Sequence, residues 1–447
     1  MNRLSLLPLL LLLAVFAAAQ PRPRLFITTD IGGDPDDTQS LIRLLVYSNE
    51  FELAGLVASA SGTPGELKEA IVRPDLIEEL VQAYGEVAAN LQRHDPHYPS
   101  ADALLSLIKR GNPQRGWEHV GEGHDTEGSD WIIAAVDRDE RPLNIAVWGG
   151  QTDLAQALWR VKHERSKKAY RRFIGKLRVY DIADQDGIFS QIRAEHSGLF
   201  YILNKAPEGQ DKRNAVFRGM YLGGDESLTS LDWLNAHVIE GHGPLGARYP
   251  QKTWTAPNPH GVMKEGDTPS WFYFLPNGLQ DPGRPEYGGW GGRFRQTAAS
   301  YYADAVDQIE DARDARTTVW RWRPDFQRAF AARMDRCVLP PGQVNRAPEA
   351  IVNGQGGTDF LFLKAKSGES IRLDASASRD PDGDALQFEW WVYPEVSGGQ
   401  SWRAEGPQAT LTLPALRKGQ EIHLILQVTD AGTPALRAYR RVILQGK

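Results

Sequence analysis

Residues 25–37 read LFITTDIGGDPDD, an apolar run that ends on four aspartates, Asp30, Asp34, Asp36 and Asp37, within eight positions. Carboxylates this dense at the end of a buried strand repel one another, and the fold is destabilised unless something offsets them. Three arrangements do so. Aspartate is favoured at the cap and first turn of a helix. Gly32, Gly33 and Pro35 suit a solvated turn. A hard cation such as calcium takes about six to eight oxygen ligands and cancels the charge. Capping uses one or two aspartates, not four.

The same stretch sets the fold class. After it, TQSLIRLLVYS repeats Leu41, Leu44 and Leu45 at helical spacing, and FELAGLVASAS reads as the next buried strand. LNIAVWGG leads into TDLAQALWRV, and KLRVYDIAD and FRGMYLGG read as further strands. Strands alternating with helices predict an α/β domain: a mainly parallel sheet with helices on both faces. Ligands collect at the carboxyl ends of such strands. The loops of TTDIGGDPDD, WGGQTD and YDIADQD all fall there. Around CVLPPGQVNRAPEA the texture becomes Pro-rich, and short alternating runs follow, as in an antiparallel β-sandwich of about 100 residues. The predicted organisation is a signal segment over 1–19, an α/β domain over 20–336, a linker over 337–348 and a sandwich over 349–447. A chain ending at about Arg346 is expected to fold by itself.

The first 20 residues, MNRLSLLPLLLLLAVFAAAQ, have the layout of a secretory signal peptide cleaved after Ala19. The apolar run is shorter than the roughly 20 residues of a membrane span. The 447 residues hold 51 Lys and Arg against 57 Asp and Glu, a formal net charge of −6. With no basic run, nucleic acid is not an expected partner. The single cysteine, Cys337, excludes an intramolecular disulfide and reads as a buried thiol. Export without disulfides suits a bacterial periplasm or exterior. Nothing in the sequence sets an oligomeric state.

D-x-G followed by D-D on the first βα loop resembles the nucleoside hydrolases. GGQTDLAQAL is similar to their PLTNLA segment, and EGDTPSWFYFL places an aspartate at the head of an apolar helix as theirs does. The resemblance implies that Asp30, Asp37, Asp267 and the Thr152 carbonyl bind calcium. It also implies that Asp30 activates a water and that Asp36 contacts a sugar hydroxyl. A closer resemblance, through TTDIGGDPDD, GHGPLG, GDTPS, LPNGL and GGWGGRF, is to secreted bacterial nucleoside hydrolase-like, cellulose-binding proteins that end in a small β-sandwich. The chain departs from the nucleoside hydrolases in a loop longer by Asp34 and one other residue. Asp153 replaces an asparagine, and Gly266 stands where some carry a histidine that protonates the leaving base. No base-specific acid carries over, so the implied substrate is a carbohydrate or glycoside rather than a nucleoside.

Further candidates come from the residues themselves. Asp181, Asp184 and Asp186 end another strand, either for sugar hydroxyls or as an acidic turn. His242 and His260, on Gly/Pro loops, are candidate acids for a leaving group or structural hydrogen-bonders. Asn277 and Trp290 lie on Gly-rich loops; Trp290 either stacks on a sugar or packs into the core. Asp380, Asp382 and Asp384 in DPDGD resemble polycystic-kidney-disease-type domains and read as a solvated turn or a second calcium site. Trp390 and Trp391 point to opposite faces of one strand, so at most one is expected in the core. The function expected is a calcium-dependent glycoside hydrolase; the alternative is a non-catalytic carbohydrate-binding protein.

Overall fold

The structure is a computed structural model describing residues 21–61, 70–252 and 262–447. The expected signal segment and His260 lie outside the described residues. Among the described residues, no helix is long and apolar enough to cross a membrane.

The run LFITT lies in β1 (Arg24–Thr29), buried along its whole length. Its side chains alternate across the pleat: Leu25 and Ile27 enter one apolar cluster and Phe26 enters another. Seven strands join it: β2 (Glu52–Ala58), β3 (Ile108–Arg110), β4 (Leu143–Val147), β5 (Leu177–Ile182), β6 (Phe200–Asn204), β7 (Phe294–Ala298) and β8 (Tyr301–Asp304). The order is β3-β2-β1-β4-β5-β6-β8-β7. Every neighbouring pair is parallel except β7 with β8. Strand order reverses between β1 and β4, where the departing loops diverge and open a crevice.

Helices cover both faces, as expected. The helices α1 (Asp36–Val46), α2 (Pro74–His94), α3 (Ala101–Leu105), α4 (Glu127–Asp137) and α5 (Gln151–Glu164) follow the strands in turn. Leu41 and Leu45 of α1 pack with Ile77 and Val81 of α2 in the first cluster. Ile132 of α4 and Leu154 and Leu158 of α5 fill the second. One expected strand is absent. FRGMYLGG opens as a 3-10 turn, Val216–Met220, whose first N–H groups donate to Asp304 (2.8 Å) and Asn204 (3.1 Å). The strand of this region is β6, just upstream.

After the linker comes a five-stranded sheet in the order Leu361–Ala365, Arg437–Gly446, Glu421–Thr429, Gln387–Val392, Arg403–Glu405. It is antiparallel apart from its first pair. The pair Ser370–Asp374 and Gln408–Thr412 completes the sandwich over a core that includes Trp390, Leu424 and Leu444.

The second face of the five-stranded sheet corrects two expectations. Trp391 is buried too, its ring 5.9 Å from that of Trp322. Trp391, Tyr393, Ile425 and Tyr439 belong to the same apolar cluster as Leu25, Leu41 and Trp271. The two parts therefore share a core, which argues against independent folding of a chain ended at Arg346. Polar contacts follow the same seam. Asp307 accepts from Arg293 (2.6 Å), Arg321 (2.7 Å) and the Tyr393 hydroxyl (2.5 Å), and Asp325 accepts from Tyr439 and Arg437. Even the linker is packed, with Val344 against Leu436 and the Asn345 amide donating to Asp430 at 3.0 Å.

Candidate functional site

Where β1 ends, Asp30 meets the first turn of α1, which carries Asp36 and Asp37, and Asp267 heads the helix Thr268–Phe272 above them. Carboxylate oxygens of Asp36, Asp37 and Asp267 lie within 4.8 Å of one another. Asp30 adjoins them, its charge adding to the rise in the pKa values of Asp37 and Asp267. Burial pushes the Asp30 pKa up to about 6, with Arg115 opposing, and that of Asp36 up to about 7, with Asp34 and Asp30 adding to the rise. Burial and neighbouring carboxylates hold Asp37 and Asp267 well above the usual carboxylate range. Arg115 beside Asp30 and Arg218 facing Asp36 and Asp267 offset only part of this negative charge.

A hard cation fits these residues. Asp267 is 2 % exposed, and its Oδ2 is buried with no hydrogen-bond partner. The donors are all anionic oxygens, the set preferred by calcium or magnesium. The loop leaving β4 is shaped around Asp30: a Cβ at Gly149 would stand 2.6 Å from the Asp30 Cγ, so only glycine passes there.

Thr152 occupies the expected place, as the second residue of α5. Its N–H and hydroxyl both donate to Asp186, at 2.8 and 2.7 Å. Thr152 thereby clamps Asp186 at the rim. Asp153 accepts from the Ser59 hydroxyl, the Thr126 hydroxyl and the Asn112 N–H, tying β2, the cap of α4 and the loop after β3 together.

That loop delivers a residue that sequence reasoning missed. Arg115 donates to Asp30 Oδ2 at 2.6 Å, its Nε lies 3.8 Å from Asp186, and Nε and Nη1 are buried without a hydrogen-bond partner. Its only signal in the sequence is the Pro/Gly punctuation of NPQRG, which places it on a loop at the same rim. Arg43 and Glu265 were also missed. They form a fully buried ion pair, with Arg43 Nη2 to Glu265 Oε1 at 3.1 Å, and Tyr249 and Thr268 complete the carboxylate. Gln39 accepts from the N–H of Lys264 at 2.8 Å. Buried polar groups of α1 thereby fix the segment that carries Asp267.

Beside the cluster lies a cavity of about 870 Å³, lined by Asp36, Asp184, Phe217, Arg218 and Asp267 among others. That volume suits a small-molecule ligand. Ala183 and Asp184 both adopt positive φ, 71° and 53°, at its wall. Non-glycine residues persist in that conformation where the surroundings over-determine them, commonly at functional sites. Asp184 is held by Gln151 (3.1 Å), the Phe189 N–H (2.9 Å) and Lys205 (2.9 Å), and Asp181 by Gln151 and Tyr201 (2.8 Å each).

Three expected site residues lie elsewhere. Trp290 packs on Phe272, Phe326 and Tyr439 in the shared core and lines a different cavity, with Asn277, away from the aspartate cluster. Asn277 sits on the turn under the sandwich, where a side chain on Gly278 would collide with the Tyr439 carbonyl. His242 is held by Asp335 at 3.1 Å, at the end of the helix Arg323–Asp335. In DPDGD, Asp380 accepts from the N–H groups of Asp382 and Asp384 (2.7 and 3.2 Å), and Asp382 pairs with Arg346 at 2.7 Å.

Comparisons with known proteins agree with this architecture. Residues 24–294 match the family model described as cellulose-binding Sde182, nucleoside hydrolase-like domain, and residues 370–446 match that of the cellulose-binding protein Sde0182 C-terminal domain. No curated protein matches the chain. A solved structure of a nucleoside hydrolase-related hypothetical protein from Saccharophagus degradans, described as associated with carbohydrate metabolism, is similar at 32 % identity with a TM-score of 0.78, covering 95 % of this chain and 100 % of that one. By sequence over both regions and by fold over nearly its whole length, the chain belongs to the Sde182 family of cellulose-binding, nucleoside hydrolase-like proteins.

Proposed function

We propose that the chain is an exported, calcium-dependent glycoside hydrolase, with the anomeric carbon of its substrate beside Asp30. One observation carries the reading: Asp36, Asp37 and Asp267 converge within 4.8 Å beside a cavity, and Asp267 Oδ2 is left without a partner. Asp30, Asp37 and Asp267 would hold the ion. A bound calcium would supply a seat for two vicinal sugar hydroxyls and acidify a water. Asp30 would take a proton from the attacking water. Asp36 accepts a hydrogen bond from a sugar hydroxyl, and Asp184 and Asp186 line the same rim. Anionic side chains stabilise the positive charge that develops on the ring in an oxocarbenium-like transition state. Direct attack by one water inverts the anomeric configuration.

A second reading has its own support. The family's description as cellulose-binding, and the 2.6 Å pairing of Arg115 with Asp30, favour a carbohydrate-binding protein without turnover. A carboxylate engaged by a guanidinium is a weaker base for water. Release of reducing sugar from a panel of nitrophenyl glycosides, nucleosides and oligosaccharides separates the two. Calcium-dependent turnover that Asp30→Asn abolishes supports hydrolysis. Saturable cellulose binding with no turnover across the panel supports the second reading.

A further inference from the structure

The two parts of the molecule do not close completely along their seam. A cavity of about 320 Å³ remains, walled by Tyr47, Asn277, Trp290 and Arg336 of the first part and by Thr358 and Tyr439 of the sandwich. It is remote from the aspartate cluster: Asp36 and Asp37 open α1 and Tyr47 closes it, about 16 Å farther along the axis. Three wall residues carry a side-chain atom that is buried and has no hydrogen-bond partner: the Tyr47 hydroxyl, Asn277 Nδ2 and Arg336 Nε. Buried polar atoms in native proteins are nearly always paired, so three orphans around one small cavity mark a place for a ligand. Trp290 and Tyr439 add an aromatic wall whose own polar atoms are closed. Trp290 Nε1 donates to the Tyr439 hydroxyl at 3.4 Å, and that hydroxyl donates to Asp325. Most of the lining charge is closed too, with Glu349 paired to Arg379 at 2.6 Å, Arg437 to Asp325 at 3.2 Å, and Glu50 to Arg333.

We propose that this cavity is a second ligand site, built for a short neutral saccharide and independent of calcium. An aromatic wall beside amide, phenol and guanidinium donors suits a ring with C–H faces and hydroxyl edges. The volume stands at the small end of the range for ligand sites, which keeps the occupant short. Asn277 Nδ2 and Arg336 Nε donate to its hydroxyl oxygens, and the Tyr47 hydroxyl donates or accepts. Asn277 does so without leaving its turn, because Oδ1 and not Nδ2 holds the Leu279 N–H, at 3.1 Å. The walls come from both parts, so the occupant bridges the seam. The inference does not rest on the glycosidase reading, since no aspartate of the cluster lines this cavity.

The test is calorimetric titration of the full chain with cellobiose, xylobiose and maltose, with calcium and with chelator. At least one should bind, with an affinity that chelator or Asp267→Asn leaves within about twofold, because the two sites are far apart. Tyr47→Phe keeps the ring and removes the orphan hydroxyl, so it should weaken that probe about fivefold while the melting temperature holds or rises. Ala347→Trp and Thr358→Trp, at exposed positions on the edge of the cavity, should block it and abolish binding with the melting temperature unchanged. Binding that needs calcium, fails in Asp267→Asn and survives both tryptophan variants belongs to the rim, which overturns the inference and supports the calcium reading. Binding unchanged in every variant, or by none of the probes, overturns the inference and leaves the rim to its own test of turnover. A Tyr47→Phe protein that melts lower and binds normally also overturns it, since the hydroxyl is then answered within the protein. Cellobionate binding more tightly than all three probes overturns the neutral class.

Discussion

Asp307 and Asp267 are buried to the same degree, 1 % and 2 % exposed, in opposite company. Asp307, at the seam between the two parts of the molecule, receives two arginines and a tyrosine hydroxyl. Asp267, at the rim, faces Asp36 and Asp37 and keeps one oxygen without a partner. Buried polar groups in native proteins are nearly always satisfied, so the closed network at the seam reads as structure and the open one at the rim as a place for something from outside. Arg43 and Glu265 make the same point at closer range. They are a closed pair whose position holds the open one, because Glu265 is two residues from Asp267.

The contrast breaks most severely if the seam is removed. A chain ended at Arg346 would expose Trp290, Trp322 and Phe326, which the sandwich covers with Trp391, Tyr393 and Tyr439. It is expected to lose cooperative melting and to aggregate, seen as loss of the near-ultraviolet circular dichroism of the full chain. A soluble fragment melting as sharply as the intact protein would show that the seam is only a contact. Next in size is Asp307→Ala, which leaves the half-buried Arg293 without a carboxylate and Arg321 with only the longer contact to Glu395 at 3.7 Å. Breaking such a network costs about 3–5 kcal/mol. Urea unfolding should show a shifted midpoint with the response to calcium unchanged.

How far these features are legible in the sequence follows from the distance between partners. The aspartate cluster is visible because Asp30, Asp36 and Asp37 share one loop, and the parallel sheet because strand and helix patterns are local. The partner of Arg115 is 85 residues away, so no spacing rule finds it. Thr152 illustrates a finer limit: its position is readable, but its N–H and hydroxyl bonds to Asp186, 34 residues on, are not. Trp290 and Trp391 are the hardest case. Each is an aromatic on a loop or strand whose exposure is decided by the other domain, and no local pattern reports that cover. The family resemblance carried the fold further than the site, since Asn277 and Trp290 belong to shared motifs that serve the seam.

The open network can be sharpened by closing it. If calcium binds at Asp37 and Asp267, it raises the melting temperature by mass action, since it binds the native state alone. Asp267→Asn should abolish that shift while leaving the metal-free protein as stable as the wild type or slightly more so, because one repelling charge has gone. Asp37→Ala should behave alike, and Asp34→Ala should keep most of the shift, since Asp34 has no counterpart in the nucleoside hydrolase motif. Differential scanning calorimetry with calcium and with chelator reads all four proteins. A wild type indifferent to calcium would return the cluster to a helix cap in an acidic turn.

The smallest effect lies at the far end of the same rim, where Asp304 stands between the two extremes. Its Oδ2 accepts the Val216 N–H at 2.8 Å, while its Oδ1 is buried without a partner, and burial pushes its pKa up to about 8. A carboxyl whose folded pKa exceeds its unfolded value stabilises the fold fully below the unfolded pKa. That contribution declines as pH rises from about 4 to about 8, because the unfolded chain gives up its proton first. Asp304→Asn keeps the shape and one acceptor but cannot ionise. Its stability should therefore fall less steeply than that of the wild type between pH 4 and 8, by at most one proton's worth of slope, with the two profiles parallel above pH 8. Urea midpoints across that range give the comparison directly. Parallel profiles throughout would mean that Asp304 is ionised in the folded chain and that its second oxygen is answered as fully as those of Asp307.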